Sequence, residues 1–399
     1  MDKPMDIYER SLEAHLKHQG KIAVRSQMRL DSQEDLSIAY TPGVARPCEE
    51  IAKHPEMAWD LTWKGRTVAV VSDGSAVLGL GDIGPMASLP VMEGKAALFK
   101  EFAGVDAVPI VLDTKDPDEI IRIVRALAPT FGGINLEDIS SPRCFRIEEE
   151  LQSIGIPVMH DDQHGTAIVL LAAMQNACRV VGRPLGSMSV VINGAGAAGR
   201  AITRLLTCAD EDSRCIPVGK MRVCDSKGIV FPGRAGNNEL KEELAQLTNV
   251  EGQQGDLREA LKGADVFIGV SRGGLLRAED IRLMQPDSIV LAMANPIPEI
   301  MPEEAAAGGA AIVGTGRSDF PNQVNNVLAF PGIFRGALEA RATRITRGMM
   351  YATIDAIAGC VEEPTARRIL PAPFNRNVAV RVAEAVAKAA IVDGVANPR

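Results

Sequence analysis

The stretch SVVINGAGAAGRAITRLL, residues 189–206, is the most informative part of this 399-residue chain for its fold. Its apolar run at 189–193 predicts a buried β-strand, and the segment after the glycines predicts a helix. Between them, Gly194, Gly196 and Gly199 have the spacing G-x-G-x-x-G. In such a loop the first glycine permits a tight turn, the second lets a ligand approach the backbone, and the third lets helix pack on strand. This strand, loop and helix predict a dinucleotide-binding unit.

The cofactor of this unit is less closely defined by the sequence. The next predicted strand ends at Asp225, 26 residues after Gly199, where an acid that binds a ribose hydroxyl is expected. Asp225 favours NAD, but the lysine two residues later suits the 2′-phosphate of NADP, which we prefer without excluding NAD. A glycine-rich turn without a ligand is the alternative interpretation. The predicted cofactor-binding residues are Gly194, Ala195, Gly196, Ala197, Ala198, Gly199, Asp225, Ser226 and Lys227.

Working outward from the loop, short runs of Val, Ile and Ala alternate with helix-length segments. Continuous apolar runs such as TVAVV and SIVLAM are typical of strands covered on both faces, as in parallel sheets. Predicted helices include 118–127 and 165–181, and the stretch 333–392 predicts helices only. Strands are predicted at 67–72, 108–112, 133–136, 156–159, 189–193, 221–224, 266–270, 288–292 and 311–314. This alternation predicts an α/β fold with two parallel-sheet domains, the second Rossmann-type, and C-terminal helices that pack back across both.

A domain boundary is predicted within residues 155–187, where the predicted helix 165–181 leads into the glycine-loop unit. We assign residues 1–160 to an N-terminal domain and residues 161–399 to the dinucleotide-binding domain with its C-terminal helices.

Composition and charge exclude several classes of protein. Lys and Arg total 43 against 51 Asp and Glu, a net charge of −8, whereas a nucleic-acid-binding protein needs a basic face. Charged residues in the first ten positions exclude a signal peptide, and the most apolar stretch, 168–181, is too short and polar to span a membrane. Seven scattered cysteines without a Cys-x-x-Cys pair favour reduced thiols. We therefore expect a cytoplasmic protein with neither nucleic acid nor membrane as a partner.

Acidic residues follow several predicted strands. Glu137 and Asp138 follow one strand and Asp161 and Asp162 another, while Asp73 and Asp113 also stand at strand ends. Because ligands of open α/β sheets bind at the carboxyl ends of strands, these acids are expected to converge. Carboxylates sharing a cleft repel one another unless a cation neutralises them, and oxygen ligands select Mg²⁺ or Mn²⁺. The alternative is that each acid caps the following helix.

The sequence HDDQH at 160–164 superficially matches the zinc-protease pattern H-E-x-x-H, which needs both histidines on one helix face and a glutamate base. Here the preceding residues predict a strand, the helix is predicted to begin at Gly165, and an aspartate replaces the glutamate. We therefore expect both histidines on a turn and consider a zinc hydrolase a minor alternative.

Several ordered motifs together resemble the malic enzyme family in its short bacterial form. The resemblance covers most of the chain, and we expect no additional C-terminal domain of the kind that some larger bacterial relatives carry. The motifs are YTPGVA (40–45), VSDGSAVLGLGDIG (71–84), PVMEGKAALFKEFAGVD (90–106), PTFGGINLEDI (129–139), IPVMHDDQHGTA (156–167), the glycine loop, ANPIPE (294–299) and TGRSDFPNQVNNVLAFPGIFRGAL (315–338).

The resemblance implies an activity: oxidation of L-malate with NAD(P)⁺ and decarboxylation to pyruvate and CO₂, assisted by Mg²⁺ or Mn²⁺, in a homodimer or larger oligomer. It also implies residue roles. Tyr40 is similar to the acid that protonates the enolpyruvate carbon, and Lys95 to the base that takes the malate hydroxyl proton. The implied metal ligands are Glu137, Asp138 and Asp162, with Asp161 a catalytic neighbour; Asn295 and Asn326 match substrate-contacting amides, and Asn295 also adjoins the cofactor.

Two features qualify this expectation. Where longer family members have an arginine, this chain has Ala76-Val77, so the partner of the malate carboxylates is not identified. A free lysine, with a pKa near 10.4, is a poor base at neutral pH, and we expect burial and a nearby cation to lower the pKa of Lys95. The alternatives left open are a malolactic conversion of malate to lactate and a catalytically silent nucleotide-binding protein.

Overall fold

The computed structural model describes residues 6–77, 79–210 and 212–397. The first five residues, which entered the argument against a signal peptide, and Leu78 of the 71–84 motif lie outside the described residues. The strands are β1 (Thr67–Ser72), β2 (Asp106–Val111), β3 (Gly133–Leu136), β4 (Val158–His160), β5 (Ser189–Asn193), β6 (Lys220–Asp225), β7 (Gly228–Ile229), β8 (Val266–Gly269), β9 (Ile289–Ala292) and β10 (Ile312–Thr315).

The helices before the glycine loop are α1 (Ile7–His18), α2 (Gln33–Ala39), α3 (Ala45–Lys53), α4 (Ala58–Leu61), α5 (Pro85–Ala103), α6 (Pro117–Leu127), α7 (Arg143–Leu151) and α8 (Asp161–Val181). Those after it are α9 (Ala197–Thr207), α10 (Glu239–Thr248), α11 (Leu257–Leu261), α12 (Ala278–Ile281), α13 (Pro302–Ala307), α14 (Phe330–Glu339), α15 (Arg347–Ala358) and α16 (Asn377–Val392).

Two sheets organise the molecule. The first has the strand order β2-β1-β3-β4, and all its strands are parallel. The second has the order β10-β9-β8-β5-β6-β7, parallel except for the short antiparallel β7. In each sheet the chain order reverses at one point, between β1 and β3 and between β5 and β8. Ligands of open α/β sheets bind at the carboxyl ends of the strands at such points.

Both faces of each sheet are buried, as the continuous apolar strand sequences require. In β1, Val68 and Val70 face one core while Ala69 and Val71 face another. The core that contains Val68 and Val70 continues through α8 and the C-terminal helices into the second sheet. The outer face of the second sheet has its own core, centred on Phe267. One apolar core therefore joins the two sheets.

The C-terminal helices close the molecule. α14 and α16 contact α5 of the first sheet unit, and α15 packs on α8. The predicted α/β class, the two parallel sheets and the helical C-terminal stretch are confirmed. The boundary predicted between residues 160 and 161 falls at the junction of β4 and α8.

Two local predictions are wrong, and one short strand was not predicted. Helix α8 begins at Asp161 rather than at Gly165, so His160 ends β4 and His164 lies in the first helical turn instead of a turn before it. The two-residue strand β7 was not predicted because it carries too few residues for a pattern. Cys208 and Cys215 form a disulfide, with Cα atoms 5.7 Å apart, where reduced thiols were expected. No helix of the described residues is long and apolar enough to cross a membrane.

Candidate active site

Three acidic side chains meet at the carboxyl edge of the first sheet. Glu137 and Asp138 directly follow β3, and Asp162 lies in the first turn of α8 after the neighbouring β4. One carboxylate oxygen from each lies within 4.8 Å of the others. These are the three predicted metal ligands, and the fold brings them together.

The backbone at Asp138 is in the left-handed region, with φ of 54°, which an L-residue adopts only when its surroundings hold it there. Two hydrogen bonds do so. The Asp138 amide donates to Asp162 Oδ2 at 2.8 Å, and the Ala76 amide donates to the Asp138 carbonyl at 2.9 Å. The turn therefore directs two successive carboxylates of β3 toward α8.

This acid cluster carries more negative charge than its surroundings balance. Burial, and then repulsion from Asp162 and Glu137, raises the pKa of Asp138 to about 9. Burial raises the pKa of Asp162 to about 6. Asp138 Oδ2 is buried without a hydrogen-bond partner. A buried unpartnered carboxylate oxygen beside two further carboxylates fits a hard divalent cation such as Mg²⁺ or Mn²⁺.

Lys95 faces this cluster from α5 and is only 7% exposed. Its Nζ lies 2.6 Å from Asp161 Oδ2, 2.8 Å from Glu137 Oε1 and 4.1 Å from the centre of the Phe330 ring. Burial lowers the pKa of Lys95, but the charges of Asp161 and Glu137 outweigh it and raise the pKa above the ordinary lysine range. Without a cation, the neighbouring carboxylates therefore stabilise the ammonium form of Lys95, and the lowering expected from burial together with a nearby cation stays a prediction.

Asp161 joins separate parts of the chain. Its carboxylate is fully buried, and it accepts hydrogen bonds from Lys95 and from the Asn326 side-chain amide. Burial, partly offset by Lys95, raises the pKa of Asp161 to about 6. A Cβ built on Gly165, one turn further along α8, would stand 2.0 Å from Asp161 Oδ1. Glycine at 165 therefore gives the Asp161 carboxylate its space.

Not every predicted residue enters this arrangement. Tyr40, at the end of α2, is 67% exposed and does not belong to the acid cluster. Asn295 lies half-buried in the loop after β9. Asp73 is buried at the end of β1, where it accepts from Arg143 Nη2 at 2.8 Å. Asp113, at the end of the edge strand β2, is exposed. The expected convergence of all six acids is thus wrong for Asp73 and Asp113, which do not join the group of three.

The two histidines of HDDQH are both linked to Glu148, His164 through its ring and His160 through its backbone amide. His164 Nε2 lies 3.0 Å from Glu148 Oε2, and the His160 amide donates to Glu148 Oε1 at 2.9 Å. The ring of His160 is fully buried, and neither of its nitrogens has a hydrogen-bond partner. Within the described residues the acid cluster is the one group of three potential ligands, and it contains no histidine. This geometry does not support a zinc hydrolase.

The three loop glycines occupy different environments. A Cβ on Gly194, where φ is 136°, would lie 2.5 Å from the Val270 carbonyl oxygen, and one on Gly199 would lie 1.8 Å from the Gly194 carbonyl oxygen. A Cβ on Gly196 would meet no atom within 4 Å. Helix α9 starts directly after Gly196, which has no side chain to cap its amides. The open space before these free amides suits a pyrophosphate.

A cavity of about 710 Å³ extends from this loop along the carboxyl ends of β5 and β6. It is lined by predicted residues Gly194, Ala195, Asp225, Ser226 and Lys227, together with Arg258 and Arg272 among others.

Asp225 is held by cations of its own chain. Arg234 donates to both its oxygens, and Lys241 Nζ lies 2.7 Å from Oδ2. Burial raises the pKa of Asp225, but hydrogen bonds from Arg234 and Lys241 outweigh it and lower the pKa to about 2.

Several residues of the site were not predicted. Asn135 Nδ2 donates to Glu137 Oε2 at 2.8 Å, Glu148 orders the start of α8, and Gly165 makes room for Asp161. Glu299 accepts from the Ser271 and Ala294 amides and so holds the loops after β8 and β9. Asn135 and Glu299 lie inside quoted motifs, but their contacts depend on residues brought together only by the fold.

Two parallel sheets, a lysine–carboxylate centre at the edge of one and a glycine loop at the edge of the other define a dinucleotide-dependent α/β oxidoreductase. The comparisons with known proteins identify the family. Residues 19–152 match the model of the malic enzyme N-terminal domain, and residues 163–391 match that of the malic enzyme NAD binding domain. The chain belongs to the malic enzyme family, and its second unit is an NAD(P)-binding domain.

Relatives of known name agree. The chain is 54% identical over 396 residues to the bifunctional malic/malolactic enzyme of Bacillus subtilis, covering 98% of this chain and 95% of that protein. It is 46% identical to the NADP-dependent malic enzyme of Escherichia coli, with 94% of this chain but only 51% of that protein covered. The crystal structure of malic enzyme from Pyrococcus horikoshii matches with a TM-score of 0.92 at 48% identity, covering 99% of this chain and 93% of that one.

Proposed function

We propose that this chain catalyses the oxidative decarboxylation of L-malate to pyruvate and CO₂ with reduction of NAD(P)⁺, and that it requires Mg²⁺ or Mn²⁺. The observation that carries the proposal is the buried Lys95, ion-paired to Glu137 and Asp161 directly beside a three-carboxylate cluster. A buried base next to a divalent-cation site suits the removal of a proton from a 2-hydroxy acid.

The proposed proton path uses side chains of the chain itself. Lys95 takes the proton of the malate C2 hydroxyl, and a bound dinucleotide would supply the acceptor for the C2 hydride. After the C4 carboxylate leaves as CO₂, Tyr40 donates its hydroxyl proton to C3, and Lys95 returns its proton to the Tyr40 oxygen. The methyl group of pyruvate thus receives the Tyr40 proton, the malate hydroxyl proton replaces it on Tyr40 through Lys95, and no net proton is released.

The acid cluster has a separate role in this proposal. Glu137, Asp138 and Asp162 would hold the divalent cation, which supplies Lewis-acid stabilisation of negative charge on the C2 oxygen. Asp161 and Asn326 orient the Lys95 ammonium through their shared hydrogen bonds. A cation bound to Glu137 would also weaken the hold of that carboxylate on Lys95 and lower the pKa of the lysine toward the working range.

Initial rates with L-malate test the activity. We expect reduced cofactor and pyruvate to accumulate together with Mn²⁺ or Mg²⁺ and to cease with EDTA. Activity that EDTA leaves unchanged would remove the metal from the proposal. Lys95→Ala should lose at least about 100-fold in turnover, as is typical for a general base, but still bind cofactor. Lys100→Ala, on the exposed side of the same helix, is the matched control and should remain active.

We propose NADP⁺ as the better cofactor, with NAD⁺ also accepted. The Asp225 carboxylate is already neutralised by Arg234 and Lys241, and Lys227 follows it on the rim of the cavity. A cationic rim attracts a 2′-phosphate, whereas a neutralised aspartate offers little to a ribose hydroxyl. Lys227→Ala should lower kcat/KM for NADP⁺ about tenfold relative to NAD⁺, and an equal loss with both cofactors would contradict this assignment.

A malolactic activity is a second candidate function, because the Bacillus subtilis relative is named a bifunctional malic/malolactic enzyme. In that case the pyruvate is reduced to lactate by the same cofactor before either leaves. Product analysis with L-malate and a catalytic amount of NAD⁺ separates the two activities. Lactate in excess of the cofactor supports the malolactic activity, and pyruvate limited by the cofactor supports simple oxidative decarboxylation.

A further inference from the structure

Glu299 is a buried carboxylate to which the proposed reaction gives no role. It lies in the loop after β9, and its side chain is fully buried. Its Oε1 accepts from the Ser271 amide, in the loop after β8, at 2.9 Å, and its Oε2 accepts from the Ala294 amide at 3.0 Å. Burial raises the pKa of Glu299, so keeping a carboxylate in this place costs free energy. One side chain therefore fixes two loops at the carboxyl edge of the second sheet.

The two loops leave little space around this side chain. A Cβ built on Gly269, the last residue of β8, would stand 2.3 Å from Glu299 Cδ. The loop backbones also touch each other, since a Cβ on Gly273 would stand 2.3 Å from the Ile297 carbonyl oxygen. Beside this contact the Leu275 amide donates to the Glu299 carbonyl at 2.8 Å. The loops after β8 and β9 therefore form one closely packed unit.

The glycine loop is joined to this unit through Ser271. Asn193, the last residue of β5, donates from Nδ2 to Ser271 Oγ at 2.8 Å, and Gly194 directly follows it in the sequence. Hydrogen bonds thus connect the carboxyl ends of β5, β8 and β9 through Asn193, Ser271, Glu299 and Ala294. We call these four residues the loop tie. It links the candidate pyrophosphate site to the loop that contains Asn295.

The loop tie lies on the side of the sheet where substrate and cofactor are expected to meet. Asp225 ends β6, on one side of the glycine loop, whereas β8 and β9 lie on its other side. A dinucleotide that binds across such a point with its adenosine over β6 extends its nicotinamide toward β8 and β9. Ser271 and Leu276, in the loop after β8, line the same cavity as Asp225. Asn295, for which the family resemblance implies contacts with both substrate and cofactor, directly follows Ala294.

We propose that Glu299 is a positioning residue for hydride transfer, which holds the Asn295 loop at a fixed distance from the glycine loop through the Ser271 and Ala294 amides. In that step C2 of malate loses a hydride, for which a bound dinucleotide would supply the acceptor, and its hydroxyl proton goes to Lys95. A displacement near 1 Å in such an arrangement can cost about 100-fold in rate. The proposal rests on the proposed malate reaction, of which it concerns the oxidation step.

Amide exchange in the cofactor-free protein tests the loop tie without any turnover. Glu299→Gln keeps the shape of the side chain, but its amide nitrogen cannot accept a hydrogen bond, so one of the two loop contacts is lost. We expect deuterium exchange at the Ser271 or Ala294 amide to become about tenfold faster, as the loss of one hydrogen bond allows. Unchanged exchange at both amides would overturn the proposal.

The matched control is Asp265→Asn, the same change of carboxylate to amide at the opposite edge of the same sheet. Asp265 is buried directly before β8 and accepts from the Ser189 amide at 2.7 Å. This variant should speed exchange at Ser189 but leave the catalytic steps as in wild type. Gly269→Ala is a second test variant, because its Cβ displaces the Glu299 carboxylate without removing it, and it should behave like Glu299→Gln.

Two rates separate positioning from a general loss of structure. In Glu299→Gln, turnover with malate should fall about 100-fold, and the isotope effect with malate deuterated at C2 should rise, because hydride transfer becomes rate-limiting. Decarboxylation of added oxaloacetate with Mn²⁺ and NADP⁺ needs no hydride transfer and should proceed at the wild-type rate.

An equal fall in both rates, or an unchanged isotope effect, would show that Glu299 only supports the fold and would overturn the proposal. A wild-type protein that does not oxidise malate would instead contradict the proposed reaction itself.

Discussion

Asp161 shows how one carboxylate can determine the geometry of a whole site. It is fully buried and receives Lys95 from α5 and Asn326 from the turn before α14. The buried Asp161 carboxylate interacts with both the Lys95 ammonium and the Asn326 amide. Removing either partner would leave a buried charged or polar group without compensation, which costs free energy of folding. Asp161 is therefore the residue through which elements far apart in the sequence place the Lys95 ammonium.

The space for Asp161 depends on Gly165, and this gives a prediction. In Gly165→Ala the new Cβ would stand 2.0 Å from Asp161 Oδ1, so the carboxylate must move and Lys95 with it. A displacement near 1 Å in a catalytic group can cost about 100-fold in rate. We expect turnover with malate to fall by about that factor while cofactor binding, measured by fluorescence titration, is retained.

The matched control is Gly94→Ala, another helical glycine, whose Cβ would meet no atom within 4 Å. Both variants gain the helix propensity of alanine, about 1 kcal/mol, so only the clash distinguishes them. Equal activity of the two variants would show that Asp161 does not position the catalytic lysine.

Asp225 allows a prediction of pH dependence. Its pKa is lowered to about 2 in the folded protein, from an ordinary value of 3.8, because Arg234 and Lys241 outweigh burial. A lowered carboxyl pKa stabilises the fold above the unfolded-state pKa, and the stabilisation is lost as pH falls toward 2. We expect Asp225→Asn to be less stable than wild type by about 1 kcal/mol at pH 7, after allowance for solvent screening.

Thermal melts of the cofactor-free protein measure this difference at pH 7, 4 and 3. The gap between wild type and Asp225→Asn should be constant from pH 7 to about pH 5 and should narrow below pH 4. A gap that widens on acidification would mean that the Asp225 carboxylate does not stabilise the fold through its cations.

At the scale of elements, the glycine loop separates folding from ligand binding. Gly199→Ala would place a Cβ 1.8 Å from the Gly194 carbonyl, so α9 could not pack on β5, and the melting temperature should fall. Gly196→Ala meets no protein atom and should melt like wild type, yet its methyl group would occupy the space before the α9 amides. We expect the Kd for NADP⁺ to rise at least tenfold in Gly196→Ala. Unchanged affinity in that variant would move the pyrophosphate elsewhere.

The strands and helices differ in how far the sequence predicts them. Strands such as β1, β3 and β5 were predicted with their observed bounds, because an apolar run covered on both faces has few alternatives. The predicted start of α8 is four residues too late, because DDQH is polar and is typical of a loop. In the structure Glu148 accepts hydrogen bonds from the His160 amide and the Gln163 side chain, and so it orders this polar helix start. A local apolar pattern is enough to predict a buried strand, whereas the position at which a polar helix begins depends on hydrogen bonds to a side chain of another element.

The same distinction applies to the candidate site. The acid cluster could be predicted because Glu137 and Asp138 follow a strand directly, and sheet topology then brings them to one edge. The raised pKa of Lys95 and the exposure of Tyr40 could not be predicted from the sequence, because both depend on neighbours that are distant in the sequence. The sequence pattern predicts which residues lie at the carboxyl edge of the sheet, whereas the packing of the whole fold determines which of their side chains come into contact.

At the scale of the whole molecule, one apolar core joins both sheets, so a local charge imbalance acts on the stability of the entire fold. The acid cluster is such an imbalance, since burial and repulsion raise the pKa of Asp138 to about 9. Two consequences follow for the stability of the protein. Removing one carboxylate should stabilise the metal-free protein, and adding a divalent cation should stabilise only a protein that retains all three carboxylates.

Melting temperatures with and without Mn²⁺ measure both consequences. At 100 times its Kd a ligand that binds only the folded state adds about 2.7 kcal/mol, which corresponds to a rise on the order of 4 °C for a protein of this size. We expect this rise in wild type and in Asp113→Asn, an exposed acid at the same sheet edge outside the cluster. Asp138→Asn should melt higher than wild type at pH 7 without metal, because the pKa of Asp138 is raised to about 9, so this carboxyl must take up a proton on folding, which asparagine does not need. The same variant should gain nothing from Mn²⁺. An equal Mn²⁺ shift in Asp138→Asn would place the cation away from the acid cluster.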